Sequence, residues 1–124
     1  MKKLTLPSGA ILAGLGVALG AFGAHAFKAA LEANHRTETF ETAVRYQMYG
    51  AFALLMVGIL FQFSNFSEIL LTRASQCFLV GTIIFSTSLY LICATNILIF
   101  GAVAPIGGTL LIIGWGFLFW AVKK

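Results

Sequence analysis

Residues Ser8 to Ala26 read SGAILAGLGVALGAFGAHA, nineteen positions without a fixed charge, of which twelve are Gly, Ala or Ser. Wound as a helix at about 100° per residue, the stretch separates into two faces. Ile11, Leu12, Leu15, Leu19, Phe22 and His25 fall on one side. Gly9, Ala10, Ala13, Gly14, Gly16, Gly20, Ala21, Gly23 and Ala24 fall on the other, with only Val17 among them. In water so many glycines disfavour a helix, each by up to about 1 kcal/mol against Ala. In a bilayer the larger cost is unpaired backbone, so the helix is enforced. A smooth face then lets a second helix come close, and packing replaces the missing hydrophobic drive. The segment is therefore expected to be the central packing helix of a membrane bundle.

The rest of the chain agrees with a membrane setting. Of 124 residues 60% are hydrophobic and 10% charged, against about 25% charged in a soluble domain. The length allows one domain. Eight Lys/Arg stand against four Glu, with no Asp, giving a net charge of +4. The basic residues lie at the termini and in short loops, which suits membrane flanks and argues against nucleic acid. Cys77 and Cys93 are sixteen positions apart in one apolar segment; on a helix that is about 24 Å, beyond disulfide reach. Lys2, Lys3, an apolar run and Ala24-His25-Ala26 imitate a secretory signal with its cleavage site. The glycine face suits packing better than disposal, so the segment is expected to be retained.

Four spans follow, at about residues 7–26, 44–63, 72–95 and 105–122, each near the ~20 residues a bilayer requires. Pro7 and Pro105 suit helix starts. Phe27 to Asn34 can prolong the first span by two amphipathic turns, with Asn34 as a left-handed cap. Thr37 or Thr39 can cap the second helix, on which Glu41 and Arg45 form an i,i+4 pair. Ser75, Thr82, Ser86, Tyr90 and Cys93 make one mildly polar face of the third span. Its hydroxyls are expected to bond their own i−4 carbonyls or a neighbouring helix. Gly107, Gly108, Gly114 and Gly116 offer close contacts on the fourth. Residues 96–104 are an apolar link, and Trp120 with Lys123 and Lys124 suits the interface.

An even number of spans puts both termini on one side. That side carries Lys2, Lys3, Arg73, Lys123 and Lys124; the other carries Lys28, Arg36 and Arg45. The bias favours cytoplasmic termini, here expected in a bacterial inner (cell) membrane, and its weakness leaves dual insertion open.

Several stretches together carry a resemblance: Gly20-Ala-Phe-Gly-Ala-His-Ala26, Phe40-Glu-Thr-Ala-Val-Arg-Tyr-Gln47, Ala104-Pro-Ile-Gly-Gly108 and Gly114-Trp115. In this order and spacing the chain resembles the family catalogued as domain of unknown function 423, also called the transmembrane protein 256-like family. The resemblance covers nearly the whole chain. It implies a four-helix integral membrane protein whose biochemical role is uncharacterised. Members often read Tyr-Gln-x-Tyr-His-Ala in the second span. Here the stretch is Tyr46-Gln-Met-Tyr-Gly50-Ala51, so a role needing that second histidine does not carry over.

The chemistry on offer is sparse. The spans hold no buried carboxylate, which a proton-coupled exporter requires. A channel needs none, because backbone carbonyls can line a filter. Only His25 and His35 could act as bases near neutral pH; no Ser or Cys is visibly paired with either, so we expect no enzyme. No Asp and no clustered ligands argue against a metal or other cofactor. A lone His25 could ligate haem, but a helix-end histidine bonded to a neighbouring Tyr or carbonyl is the preferred reading. His25, Tyr46, Gln47, Tyr49 and Asn96 all fall at the end opposite the termini and form the candidate polar site. The expected geometry is a clasp of His25 with Tyr46 and Gln47. Gly16, Gly20, Gly23, Gly107, Gly108 and Gly114 are the candidate helix-packing positions. The functional expectation is a packing or interaction protein, self-associating or a small subunit beside a membrane partner. The alternative is a small channel or passive carrier.

Overall fold

A computed structural model describes residues 1–123. Helix α1 spans Lys2–Ala24, α2 Lys28–Ala33, α3 Thr37–Leu60, α4 Glu68–Thr95 and α5 Ala104–Val122, with a 3₁₀ turn at Leu98–Ala102 before α5. Helices α1, α3 and α4, and α5 with its preceding turn, are long and apolar enough to cross a membrane. The protein is an all-α integral membrane protein, a four-helix transmembrane bundle, as its apolar periodicity indicated.

Consecutive spans pack antiparallel, α1 on α3, α3 on α4 and α4 on α5. The α1–α3 seam is glycine set against side chain. A Cβ on Gly9 would lie 3.0 Å from the Ala51 carbonyl and the Leu55 side chain, and one on Gly16 would lie 2.5 Å from Met48 Sδ. Gly23 receives the Phe40 ring, and Gly58 on α3 receives Leu6. The heptad spacing of Gly9, Gly16 and Gly23 keeps these contacts on one line of α1. The α3–α4 core is aliphatic and aromatic, with Leu54, Val57, Leu71, Ala74 and Phe78 buried. Between α4 and α5 the backbones themselves touch, at Gly81 and Gly107. Below them Gly114 admits Phe78, whose ring meets Trp115 edge-on at 4.9 Å.

This order revises one expectation. The central helices are α3 and α4, and α1 lies at an edge with only Thr5, Gly9 and Gly16 buried. Its glycine line serves one neighbour. On the remainder of the small face, Gly14 meets nothing within 4 Å among the described residues. Small residues permit close approach, but burial is decided by how many neighbours a helix has, and α1 has one along most of its length. It meets α4 at its start, where the Thr5 and Ser75 hydroxyls lie 3.2 Å apart and Lys2 Nζ lies 3.6 Å from Glu68.

Helix ends also differ from expectation. Pro7 lies inside α1, which begins at Lys2. Near the start of a helix the carbonyl that proline leaves unpaired is that of Lys3, still close to the polar end. Asn34 keeps φ −95°, and the left-handed conformation falls on His35 at φ 56°. Asn34 instead donates through Nδ2 to the Ala30 carbonyl at 2.9 Å. Neither Thr37 nor Thr39 caps α3; Arg36 stands at that position without a side-chain bond to the helix end. Glu41 and Arg45 form no ion pair, Lys2–Glu68 being the one pair among the described residues. Lys123 Nζ sits 4.0 Å over the Trp120 ring, a cation–π contact placed where the aromatic belt belongs.

Candidate functional site

A primary amide at membrane depth must find partners, because no water is there to supply them. Gln47 on α3 is 4% exposed. Its Nε2 donates to the Leu12 carbonyl of α1 at 2.8 Å, and its Oε1 accepts the Tyr90 hydroxyl of α4 at 2.7 Å. One side chain thereby ties three helices. Gly16 makes the reach feasible: a Cβ there would stand 3.5 Å from Gln47 Nε2. Ser86 adds a second tie, donating to the Ala43 carbonyl of α3 at 2.8 Å. The mildly polar face of α4 is turned toward α3 and α1.

The clasp expected around His25 is not formed. His25 is the exposed C-terminal cap of α1, and its backbone N–H, not its ring, bonds Phe22. Gln47 does not begin α3. The helix starts at Thr37, which sets Gln47 about 15 Å further along the axis, level with Leu12 and Gly16. Ten residues of α3 therefore precede Gln47, whereas the expected span began at residue 44 and put Gln47 near its mouth. Tyr46 and Tyr49 point elsewhere: Tyr46 packs on Phe85 at 4.6 Å and Tyr49 on Tyr46 at 5.3 Å. Adjacent residues on a helix diverge by about 100°, so Tyr46 and Gln47 serve different neighbours. Asn96 lies at the far end, in a separate cluster.

That cluster closes the end opposite the termini. Arg36 Nε donates to Asn96 Oδ1 at 3.0 Å, and Asn96 Nδ2 to Asn34 Oδ1 at 3.5 Å. The Cys93 thiol donates to the Arg36 carbonyl at 3.8 Å. Asn96 is left-handed at φ 58° and ends α4, a conformation asparagine tolerates better than most residues. Sequence reasoning missed Arg36, Asn34 and Tyr90 as partners; the signal for Tyr90 was present in the polar face of α4.

Between α1 and α4, with α3 as floor, runs a groove. Beyond Thr5 and Ser75 the two helices diverge, leaving a cavity of about 330 Å³ beside Leu12, Gln47, Thr82 and Ser86. A second cavity, of about 550 Å³, continues it under α2 beside Phe27, Leu31, Phe40 and Cys93. Leu19 and Tyr90 line both. The rims carry exposed Leu15, Phe22, Ile83 and Thr87, so the groove opens sideways. At its inner end Thr82 is fully buried and its hydroxyl has no hydrogen-bond partner among the described residues. That hydroxyl occupies the space a Cβ on Gly50 would need. Among the described residues no three His, Cys, Asp or Glu come close enough to hold a metal ion.

Comparison with known proteins bears on this arrangement. The family model described as "Protein of unknown function (DUF423)" matches residues 19–108. The chain belongs to that family. A UPF0382 membrane protein of Staphylococcus aureus is 39% identical over 98% of this chain and 97% of its own length. The UPF0382 membrane protein YwdK of Bacillus subtilis is 38% identical over 91% of this chain and 90% of its own. No solved structure matches the chain. The DUF423 match runs from the last six residues of α1 to the start of α5, and so includes Gln47, Tyr90, Arg36 and most of the groove.

Proposed function

We propose that this DUF423 protein is a non-enzymatic interaction protein of the membrane, and that its working surface is the groove between α1 and α4. One observation carries the reading. The Gln47 cross-tie holds α1, α3 and α4 in a fixed relation while α1 and α4 stay apart, so the groove is preformed and faces the bilayer. A preformed surface lowers the ordering cost of whatever settles on it. Gln47 and Tyr90 satisfy each other, and the unpartnered Thr82 hydroxyl is sealed against Gly50, so what the groove offers is mainly shape and apolar surface. The competing reading, a channel or passive carrier, needs a continuous polar path. In this chain the polar groups of the groove face each other across helices. A photo-reactive residue at Thr87, on the groove rim, is expected to capture one discrete species from membranes; the same probe at Ile112, 72% exposed on α5, should give only diffuse capture. Identical patterns at the two positions would remove the groove as a working surface. Ion or small-solute flux in liposomes above that of empty vesicles would restore the channel reading.

The orientation belongs to the same proposal. Met1 and Lys124 are placed in the cytoplasm, and Thr37, at the start of α3, on the opposite face; Lys124 lies outside the described residues. Single cysteines at Thr37 and Ser67, in a background lacking Cys77 and Cys93, are expected to label from opposite sides. Labelling of both from one side would refute the four-span topology. Labelling of each from both sides would mean dual insertion.

A further inference from the structure

We infer that the groove is a lipid site, in which one acyl chain lies between α1 and α4 and the phosphate of its headgroup is held by Arg36. The inference rests on the groove being the working surface and adds the chemistry of its occupant.

The depth of the groove is the first argument. From Ala94 at the outer cavity to Thr82 at the inner end is twelve residues of α4, or about 18 Å at the helical rise. Half of a ~30 Å hydrocarbon core is about 15 Å. The groove therefore begins at one interface and stops near the midplane. Beyond that point α1 and α4 converge on the Thr5–Ser75 contact. A spanning partner helix would require a slot through both leaflets, and this one is shut halfway. A chain belonging to a single leaflet has the matching length, and the lateral opening gives it entry from the bilayer.

The lining is the second argument. Leu12, Leu15, Leu19, Phe22 and Ile83 face the space, and the polar groups behind them are occupied: Gln47 by Leu12 and Tyr90, Ser86 by Ala43. The Thr82 hydroxyl, pressed against Gly50, is buried out of reach. Hydrocarbon on this wall meets apolar surface, and the one further hydroxyl, that of Thr87, stands at the exposed rim.

The mouth supplies the head. Arg36 is not in the groove wall but adjoins its outer end through Cys93, a wall residue whose thiol bonds the Arg36 carbonyl, and its Nε is committed to Asn96 at 3.0 Å. That bond orients the guanidinium plane while its Nη groups take part in no ion pair among the described residues. A planar donor fork with its stem fixed suits phosphate oxygens. Three Lys/Arg and three Glu lie at this end, namely Lys28, Arg36, Arg45, Glu32, Glu38 and Glu41. Net charge therefore gives no attraction, and the selection must come from Arg36 itself.

The test uses the whole protein, purified from vesicles of phosphatidylglycerol and diacylglycerol with identical chains and examined by native mass spectrometry. Wild type is expected to retain one phosphatidylglycerol in preference to diacylglycerol. Thr87→Trp and Ala18→Trp, which fill the groove from its two rims, should each lower retention by about tenfold, while Ile112→Trp on the outer face of α5 should not. Arg36→Gln should abolish the preference for the phospholipid and leave diacylglycerol retention unchanged. Melting temperatures near wild type confirm that the variants are folded. Retention unchanged in both groove-filling variants overturns the proposal. Lost retention in those variants with an intact preference in Arg36→Gln overturns the headgroup assignment. If the Thr87 photo-probe captures a protein instead of a lipid, the working surface stands and the lipid is refuted; if it captures nothing discrete, the surface itself fails.

Discussion

Gly107→Ala is expected to loosen α5 from α4 and to lower the melting temperature in detergent more than any other single glycine-to-alanine change in the fourth span. The added Cβ would lie 2.5 Å from the Phe85 nitrogen, 2.7 Å from the Gly81 carbonyl oxygen and 2.9 Å from the Phe85 Cα. All three are backbone atoms, so no rotamer change relieves the contact. Gly81 faces the same seam, with the Gly107 oxygen 2.9 Å from its own hypothetical Cβ. The helices must move apart, and a gap of 0.5–1 Å already forfeits about a quarter to a half of each dispersion contact. The expected cost is about 1–3 kcal/mol, the range for overpacking. Gly108→Ala supplies the control one residue away, since its Cβ would meet only the edge of the Phe85 ring at 3.7 Å. Gly116→Ala meets nothing within 4 Å among the described residues and should be neutral or slightly stabilising, as helix propensity favours Ala. Equal melting temperatures for Gly107→Ala and Gly108→Ala would show that α4 and α5 do not meet backbone to backbone.

Gln47→Leu is the second large effect, expected to cost about 1–3 kcal/mol. An interhelical hydrogen bond in a membrane averages about 0.6 kcal/mol and reaches about 1.7. Gln47 makes two, to Leu12 and Tyr90, and its loss also leaves the Tyr90 hydroxyl unpaired in an apolar wall. Tyr90→Phe removes one bond and leaves an unpaired acceptor on Gln47, so its cost should be smaller. The double variant should cost less than the sum of the two, because the second change removes a group the first had orphaned. His25→Ala, at an exposed cap without a ring hydrogen bond, should fall within about 0.5 kcal/mol of wild type. Chemical or thermal unfolding of wild type and the four variants in one detergent measures this. A His25→Ala cost matching that of Gln47→Leu would return the polar clasp to the end of α1.

These two cases also mark what was readable from residues. Gly107 was identified as a close-contact position because a glycine pair inside an apolar span needs a packing reason. Gly81, its counterpart, drew no notice: it is a lone glycine among Val80, Thr82 and Ile83, and only the α4–α5 register puts it opposite Gly107. Gly20 and Gly108 looked equivalent to Gly16 and Gly114. In the structure Gly20 has only Val44 near its open side, at 3.4 Å, whereas Gly114 holds the Phe78 ring at 2.9 Å. Composition identifies where close approach is allowed, and not where it occurs. Gln47 was singled out as a polar group needing a partner. The pairing with His25 fails because α3 runs ten residues from Thr37 before reaching Gln47, which sets the amide beside Leu12.

The sequence by itself determined the solvent and the count of elements. Apolar length is a local property, and matching it to a bilayer's thickness yields four spans, helical because lipid leaves no other way to pair the backbone. It also determined which faces were smooth and which were polar, since those follow from a period of 3.6. Only the tertiary structure decided which faces meet. The energy differences between alternative helix neighbours come from contacts between residues far apart in the chain, such as Gly50 with Thr82 or Arg36 with Asn96. That is why α1, the helix richest in small residues, lies at the edge, and why its separation from α4 leaves a groove that no stretch of the chain announces.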